Sequence, residues 1–384
     1  MSVDVCIVGA GPVGATLALA LAGHELDVVA LDARAPAMRS KGDRSLALSH
    51  GARLIFERIG IWPSLEEVPG AVTAITAIDV SQAGGFGTTR LRADEQSVPA
   101  LGYVVSHGAL QHELDKALER CGLTTRFGTT VARVDGDPLH ATLALEGSDE
   151  RIRARLAVVA DGAGTFVQGM QRVRHDYGQV ALVGSLWLDH PHQGVAYERF
   201  TPEGPMALLP EGDHYALVWT MRPDRARALL ALADDAFLTA LARRFGTRVA
   251  GFARVESLRT FPLVLERTRP AVAARSLVIG NASQQLHPVA GQGLNLGLRD
   301  AWELSQSILA ASRDEIGTPS MLARFAMRRA PDRAAGIAFT HGLVRIFGND
   351  IPLVRWPRGL ALAALDALPP VKRAFARTML FGIR

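Results

Sequence analysis

Cysteine is scarce in this chain: Cys6 and Cys121 are the only two in 384 residues. Two thiols make no disulfide framework, so the fold must rest on its core, and such usage points to a reducing compartment, the cytosol. Cys6 lies inside an apolar run, where the expected role is that of a small buried hydrophobe. Long hydrophobic runs are missing as well. No apolar stretch reaches the ~18 residues of a spanning helix, which excludes a helical membrane crossing and leaves contact with a membrane surface open. No signal-peptide pattern is seen, and a structural motif already begins at residue 3, so no secretory leader is expected. His107, His140, His190, His192 and His214 are scattered, with no cysteine or carboxylate at ligand spacing. A bound metal is therefore not expected. Neither a Ser-His-Asp set nor a paired-carboxylate signature stands out, and there is no internal repeat or low-complexity segment.

What is present begins with bulk. At 48% hydrophobic, the chain can bury a large core, and its length suggests two or three domains. Charge is uneven. Residues 321–384 carry eleven Lys/Arg against three Asp/Glu, while the whole chain is only +4, so the basic character belongs to the C-terminal end. There, Gly342–Phe347, Trp356–Leu368 and Val371–Ile383 mix arginine with Leu, Ile, Phe and Ala at helical spacing. A basic amphipathic helix can rest on an anionic bilayer, on the inner face of the cell membrane, or on a partner enzyme. The plainer expectation is a helix packed on the body with solvated arginines. Interleaved aromatics are lacking, so nucleic acid is not an expected partner.

Two glycine clusters carry the most information. Val3–Val8 is a continuous apolar run, as expected of a buried parallel strand. Gly9-Ala10-Gly11-Pro12-Val13-Gly14 follows, then an apolar helix over Ala15–Ala22, then a strand over Asp27–Leu31 ending in Asp32. In such a strand–turn–helix–strand–acid unit, glycines allow a tight turn, approach to a pyrophosphate and close helix packing, and the acid meets an adenosine ribose. The unit suits NAD and FAD alike. The second cluster starts at Gly280, 266 residues after Gly14. A strand over Ser276–Ile279 leads into a polar turn, and Pro288 with Gly291-Gln292-Gly293 delivers the chain into a helix. A helix N-terminus behind glycine favours an electron-rich ligand edge. One ligand held from both ends is the expectation.

Four segments give the chain a resemblance to a known family: the first glycine unit, Asp43-Arg44-Ser45-Leu46-Ala47-Leu48-Ser49, Ala160-Asp161-Gly162-Ala163-Gly164-Thr165, and Gly280–Asp300. Weaker matches are Leu101-Gly102-Tyr103-Val104-Val105 and Glu198-Arg199-Phe200 through Gly204-Pro205 to Leu209-Pro210. The chain resembles the FAD-dependent aromatic hydroxylases with the para-hydroxybenzoate hydroxylase fold, closest to the ubiquinone-biosynthesis branch acting on 2-polyprenyl-6-methoxyphenol. The resemblance implies an α/β fold. A doubly wound (Rossmann-like, GR2-type) FAD-binding domain would carry an inserted antiparallel-sheet substrate domain and a C-terminal helical tail. The expected FAD-binding domain covers 1–70, 100–175 and 266–335. The substrate domain covers 71–99 and 176–265, and the helical segment 336–384.

The resemblance also implies site residues. Gly9, Gly11, Gly14 and Asp32 would hold the adenosine half of FAD. Arg44, Gln111, Asp161 and Gly162 would hold its middle, and Gly280 and Asn281 its ribitol. Pro288, Gly291, Gln292, Gly293, Leu294 and Asn295 would line the flavin ring, with Pro288, Gly291, Gln292 and Gly293 also facing the substrate. Arginine suits a pyrophosphate because its fork binds phosphate with two hydrogen bonds. Three positions depart from the family: Thr165 stands for Ser, Gln168 for Arg and Asn281 for Asp. Gln168 removes a charge beside the pyridine-nucleotide region, and Asn281 keeps one acceptor without the charge. His287, fixed beside proline, reads as structural.

No side chain is then needed as acid or base. In the family, NAD(P)H reduces FAD, O2 forms a flavin C4a-hydroperoxide, and an OH⁺ equivalent passes to a phenol ring; the protein orients and dries the site. The implied substrate is a hydrophobic polyprenyl-phenol. A soluble aromatic substrate is the alternative within the same chemistry, and a non-catalytic FAD-binding subunit of a lipid-biosynthetic complex is the alternative outside it.

Locally, Arg44–Gly60 reads as a helix, Ala74–Val80 as strand, Ser106–Cys121 as a helix, and Thr124–Leu145 and Arg151–Ala160 as short strands. Val180–Leu188, Ala196–Thr201, Met206–Leu209 and Tyr215–Met221 read as strands, with one helical insert over Asp224–Phe245.

Overall fold

The structure is a computed structural model that describes residues 1–35, 44–162, 166–249, 251–285, 291–347 and 352–383. Strand β1 (Ser2–Val8) is buried at every position from Val3 onward. The reason is its place: it pairs in parallel with β2 (Val28–Asp32) on one side and with Arg151–Val159 on the other. Thr124–Phe127 extends this parallel sheet beyond β2, and Ser276–Val278 extends it beyond Arg151–Val159. Side chains leave both faces of such a strand, so both faces need cover. Val5 and Ile7 face a core shared with helix α1 (Pro12–Leu21), His107–Arg120 and Gln292–Leu309. Val3, Cys6 and Val8 face a second core under the antiparallel strands Val131–Gly136 and Ala141–Leu145.

The second large sheet has eight strands. Its order is Gln284–Gln285, Phe252–Arg269, Gln171–Leu188, His214–Met221, Gly204–Glu211, Val195–Thr201, Ala77–Gln82, Thr88–Arg92. It is antiparallel except between Val195–Thr201 and Ala77–Gln82, which run parallel. One face buries Leu182, Met206, Tyr215 and Trp219 against Phe237, Leu241 and Phe245 of the helical insert.

Several local expectations change. Ser45–Ser49 is a strand, not the start of a helix; it pairs with Gly102–Ser106, and the helix begins only at His50. The Ser49 hydroxyl caps that helix by accepting from the Ala52 N–H at 3.2 Å. Leu46 and Leu48 satisfy either period, and pairing with a distant strand decides between them. The insert is two helices, Pro223–Leu230 and Asp234–Phe245, broken around Ala233, whose backbone is extended. The expected domain limits at 175/176 and 265/266 fall inside the strands Gln171–Leu188 and Phe252–Arg269. Val72–Ile75 belongs with Ser45–Ser49 and Gly102–Ser106 in a separate three-stranded sheet. The limit at 335/336 falls inside the helix Pro319–Phe347.

The C-terminal helix Pro369–Phe381 is docked on the body. Ala376 and Leu380 are buried with Leu91, Ala93 and Leu101. Lys372 bridges Glu95 at 3.2 Å and Asp366 at 3.1 Å. The side chains of Gly342–Phe347 other than Gly342 lie outside the described residues. Among the described residues, no helix is long and apolar enough to cross a membrane.

Candidate cofactor and substrate site

The first glycine turn is set by close packing. Gly9 has φ +98°, and a methyl there would come within 2.6 Å of the Asp161 Cα. A methyl at Gly14 would overlap the Gly9 carbonyl oxygen. Gly11 is different: a methyl there meets nothing within 4 Å, so this side of the turn faces open space. Space in front of a glycine turn at the N-terminus of α1 is what a pyrophosphate requires. Asp32 is buried and holds the turn in place. Its carboxylate accepts from the Ala10 N–H at 2.6 Å and from the Arg34 N–H and Nε at 2.7 and 3.1 Å. Gln111 Nε2 donates to the Ala10 carbonyl at 2.9 Å and to Asp115 at 2.8 Å. Burial alone would lower the Arg34 guanidinium pKa; Asp115 and Asp32 outweigh it and fix the cation beside the turn.

The second turn arrives at the same place. The parallel sheet brings it there: the Ala160 N–H donates to the Val8 carbonyl at 2.7 Å, and the Ile279 N–H to the Val159 carbonyl at 3.0 Å. Three turns therefore leave adjacent strand ends together. Gly280 has φ +61°, and a methyl on it would touch the Val13 side chain at 3.2 Å. A methyl on Gly162 would lie 3.8 Å from the Asn281 Cβ. The first glycine unit, Asp161-Gly162 and Gly280-Asn281 thus form one crevice. Arg172 also bridges there. Its Nη2 donates to the Gly162 and Asn281 carbonyls at 3.4 and 3.5 Å and pairs with Glu266 at 2.6 Å.

Beyond Gly280 the chain reaches the helix Gln292–Leu309. Gly291 caps it against Ala47, Gln292 is buried, Gly293 is half-buried, and Leu294 packs on the main core. Asn295 clasps the helix start to the strand Ser45–Ser49. Its Oδ1 accepts from the Ser49 N–H at 2.8 Å, and its Nδ2 donates to the Ala47 and Gly291 carbonyls at 3.0 and 2.7 Å. Arg44 is exposed, and its carbonyl accepts from the His107 N–H at 3.0 Å. Pro288 and His287 lie outside the described residues, as do Asp43 and Ala163–Thr165. Gln168 accepts from the Gly136 N–H through its side-chain oxygen at 3.3 Å. Among the described residues, no group of three His, Cys, Asp or Glu side chains is placed to hold a metal ion.

The clasp makes a clear prediction. Asn295→Asp keeps the acceptor for Ser49 and turns the donor to two carbonyls into a buried charge. Leaving such groups unpaired costs ~1–3 kcal/mol each. Thermal melting of the purified protein should fall by several degrees, with FAD lost on gel filtration, while Asn295→Gln should be milder.

Sequence reading missed Arg34, Asp115 and Arg172. Arg34 stands two residues after the motif acid, a position that could have drawn notice. Asp115 and Arg172 carry no local signal, because only the fold brings them to the turns.

Three turns converging on one crevice, in a mixed α/β structure with several sheets, point to a flavoprotein fold. The comparisons agree. A family model described as an FAD binding domain matches residues 2–340. "Ubiquinone hydroxylase UbiL" of Rhodospirillum rubrum is 35% identical, over 97% of this chain and 88% of that protein. "3-demethoxyubiquinol 3-hydroxylase" of Escherichia coli is 30% identical, over 96% of each chain. Among solved structures, p-nitrophenol 4-monooxygenase from Pseudomonas putida has a TM-score of 0.77 at 18% identity, covering 100% of this chain and 99% of that one. PqsL from Pseudomonas aeruginosa, solved with 2-aminobenzoylacetate, reaches 0.75 at 20% identity, covering 96% and 100%. At such identities the structures speak for the fold alone. The chain belongs to the FAD-binding family of aromatic monooxygenases that includes the ubiquinone hydroxylases. FAD is its cofactor.

Proposed function

We propose that this chain is an NAD(P)H- and FAD-dependent monooxygenase that hydroxylates a polyprenyl-phenol in ubiquinone biosynthesis. The observation that carries the cofactor half of this reading is the open space in front of Gly11, in a crevice that Gly162 and Asn281 also border. The adenosine half would lie along the first turn that Asp32 and Gln111 brace. Gly162, Gly280 and Asn281 would border the centre, and the ring end would meet the start of the helix Gln292–Leu309. When bound, FAD reduced by NAD(P)H supplies activated oxygen from O2. The protein's own task is to hold the phenol ring and keep water away.

The substrate half rests on relatives that match almost end to end. Membrane contact is part of the same reading. Phe86, Trp356, Leu360, Leu368 and Val371 are exposed, and the Phe86 and Trp356 rings meet at 5.0 Å. Exposed apolar residues near arginines suit the surface of an anionic bilayer.

The test is mass spectrometry of quinone precursors extracted from cells lacking the protein. An unhydroxylated or demethoxy polyprenyl-phenol should accumulate, and an unchanged quinone profile would reject the assignment. Flotation with vesicles containing anionic lipid checks the membrane contact, which Trp356→Ser with Leu360→Ser should weaken.

A further inference from the structure

The eight-stranded sheet has two faces, and only one is filled by the helical insert. The register defines the other. One row across it reads Thr89, Val80, Glu198, Ala207, Val218, Val183, Arg259. Glu198 is thus a carboxyl in an apolar row, flanked by Val80 and Ala207. The adjacent positions of this face on the two neighbouring strands are Ile78, Gln82, Pro205 and Leu209, none of them titratable.

This face packs on the three-stranded sheet. Ala196, two residues from Glu198, packs with Ile75 and Val104 of the three-stranded sheet, and Leu209 joins them. At the end of the next strand, Glu211 accepts from the Ser45 hydroxyl at 2.6 Å. Ser45 begins the strand whose Ala47 lies against Gly291. The face that carries Glu198 and the helix start at Gly291 therefore rest on the same small sheet.

Other carboxyls around this face have partners. Glu211 has Ser45 and His214, and Asp366, which reaches the face at Thr89, has Lys372. Arg259 stands four strands away, about 19 Å at the usual strand spacing. Arg358 on the helix Pro352–Ala367 is buried and is not without a partner. The Glu198 carboxyl makes no hydrogen bond or ion pair with any described residue, and the residue is half-buried. A half-buried carboxyl in an apolar row, with no protein partner, needs water or a ligand to satisfy it. A ligand that supplies the missing partner accounts for it.

We infer that Glu198 is a catalytic residue: it receives the hydrogen bond of the substrate's phenol O–H and takes its proton. This rests on the reading of the chain as a phenol hydroxylase. The O–H bond of the phenol breaks as an O–H bond forms on Glu198. The electron pair stays on the phenol oxygen, so the negative charge moves from the carboxylate to the ring and makes it more nucleophilic. The proton returns to the product oxygen before release. Burial pushes the Glu198 carboxyl up to about 8. That lies between ordinary carboxylates and a phenol near 10, where a base at neutral pH works well.

The sign of the pH dependence follows. Only the ionised carboxylate accepts the proton, so turnover should rise as pH passes upward through about 8. Stability runs the other way. The folded pKa is raised, so the protonated carboxyl is the one the fold favours. Its contribution is complete below the ordinary Glu range and is lost as pH climbs toward 8.

The experiment uses FAD-loaded enzyme with 2-prenylphenol as probe, comparing wild type, Glu198→Gln and Glu198→Asp. Glu198→Gln should keep its FAD and hold KM within ~3-fold while kcat falls by ~100-fold or more, the usual size of a lost general base. The rise in kcat near pH 8 should disappear, and Glu198→Asp should restore part of kcat and of that rise. A Glu198→Gln enzyme with kcat within ~3-fold of wild type and an unchanged pH profile overturns the inference. If wild type hydroxylates 4-hydroxybenzoate and ignores 2-prenylphenol, the polyprenyl reading falls. The Glu198 comparison is then decided on 4-hydroxybenzoate by the same criteria.

Discussion

Gly11→Val is expected to give a folded protein that no longer retains FAD, and Gly14→Ala a protein that does not fold. Both residues belong to one motif, yet the structure requires them for different reasons. Gly11 sits at φ −66° and ψ −179°, a backbone that any residue adopts. Its missing side chain opens only onto space, so valine costs the apo fold little. What valine occupies is the space a pyrophosphate needs. A displacement of that kind should weaken FAD at least ~100-fold, about 3 kcal/mol. Gly14 is the reverse. A Cβ there would overlap the Gly9 carbonyl oxygen, and Gly9 in turn is pressed on Asp161. The obstructing atom is backbone and cannot swing aside, so α1 must move off β1. Overpacking of this kind costs ~1–3 kcal/mol or more, and here it falls at the centre of the main core. Circular dichroism melting of the apo proteins separates the two outcomes, and flavin absorbance after desalting reads FAD retention. Loss of both properties in both variants would contradict this division of labour.

Asp300→Ala should destabilise the fold by about 3–5 kcal/mol, because removing one partner strands a buried charge. Asp300 lies in the helix Gln292–Leu309 and is 1% exposed. It pairs with Arg329 at 2.6 Å and Arg333 at 2.9 Å from the helix Pro319–Phe347. Arg329 is itself buried, and Asp332 serves it, Arg299 and the Ile383 N–H. Two acids and three arginines thus join the helix Gln292–Leu309 to the C-terminal helices. Burial alone would raise the Asp332 carboxyl; Arg299, the Ile383 N–H and Arg329 outweigh it and hold it below the usual Asp value. With a lowered folded pKa, its contribution is present above the ordinary Asp range and is lost as pH falls through and below ~4. Urea midpoints at pH 7 and pH 3 test both points. Asp300→Ala should lower the midpoint strongly at pH 7, and the wild type should itself lose stability at the lower pH. Asp94→Ala, removing an exposed pair with Arg92, is the control and should change nothing measurable.

How far the site could be read beforehand varied with the reach of each residue's contacts. The first glycine unit was legible because strand, turn, helix and acid follow one another within 32 residues, each with a local signature. Gly280-Asn281 was legible only as a companion to it. The work of Asn295 was not, because its partners Ala47 and Ser49 lie 248 and 246 residues away. The strand Ser45–Ser49 is ambiguous in sequence for a related reason: its apolar residues fit the helical period as well, and the deciding partner is Gly102–Ser106. Glu198 stood inside a noted motif, yet nothing in Glu198-Arg199-Phe200 says which of the first two side chains faces the insert. The ladder with Gly204–Glu211 sends Arg199 there, to the Arg244 carbonyl at 2.7 Å, and Glu198 to the opposite face.

The sequence by itself determined the class of ligand, since glycines at fixed offsets from a strand and a helix are chosen by local sterics and need no distant partner. It also determined that the chain has apolar surface enough for a large two-sided core. Only the tertiary structure decided that the separate turns share one crevice, that the basic C-terminal helices are tied into the body, and that one unpartnered carboxyl lies on the face of the second sheet turned away from the helical insert. Strand register and long-range pairing set those facts, and they depend on residues hundreds of positions apart that exert no force on one another until the chain has folded.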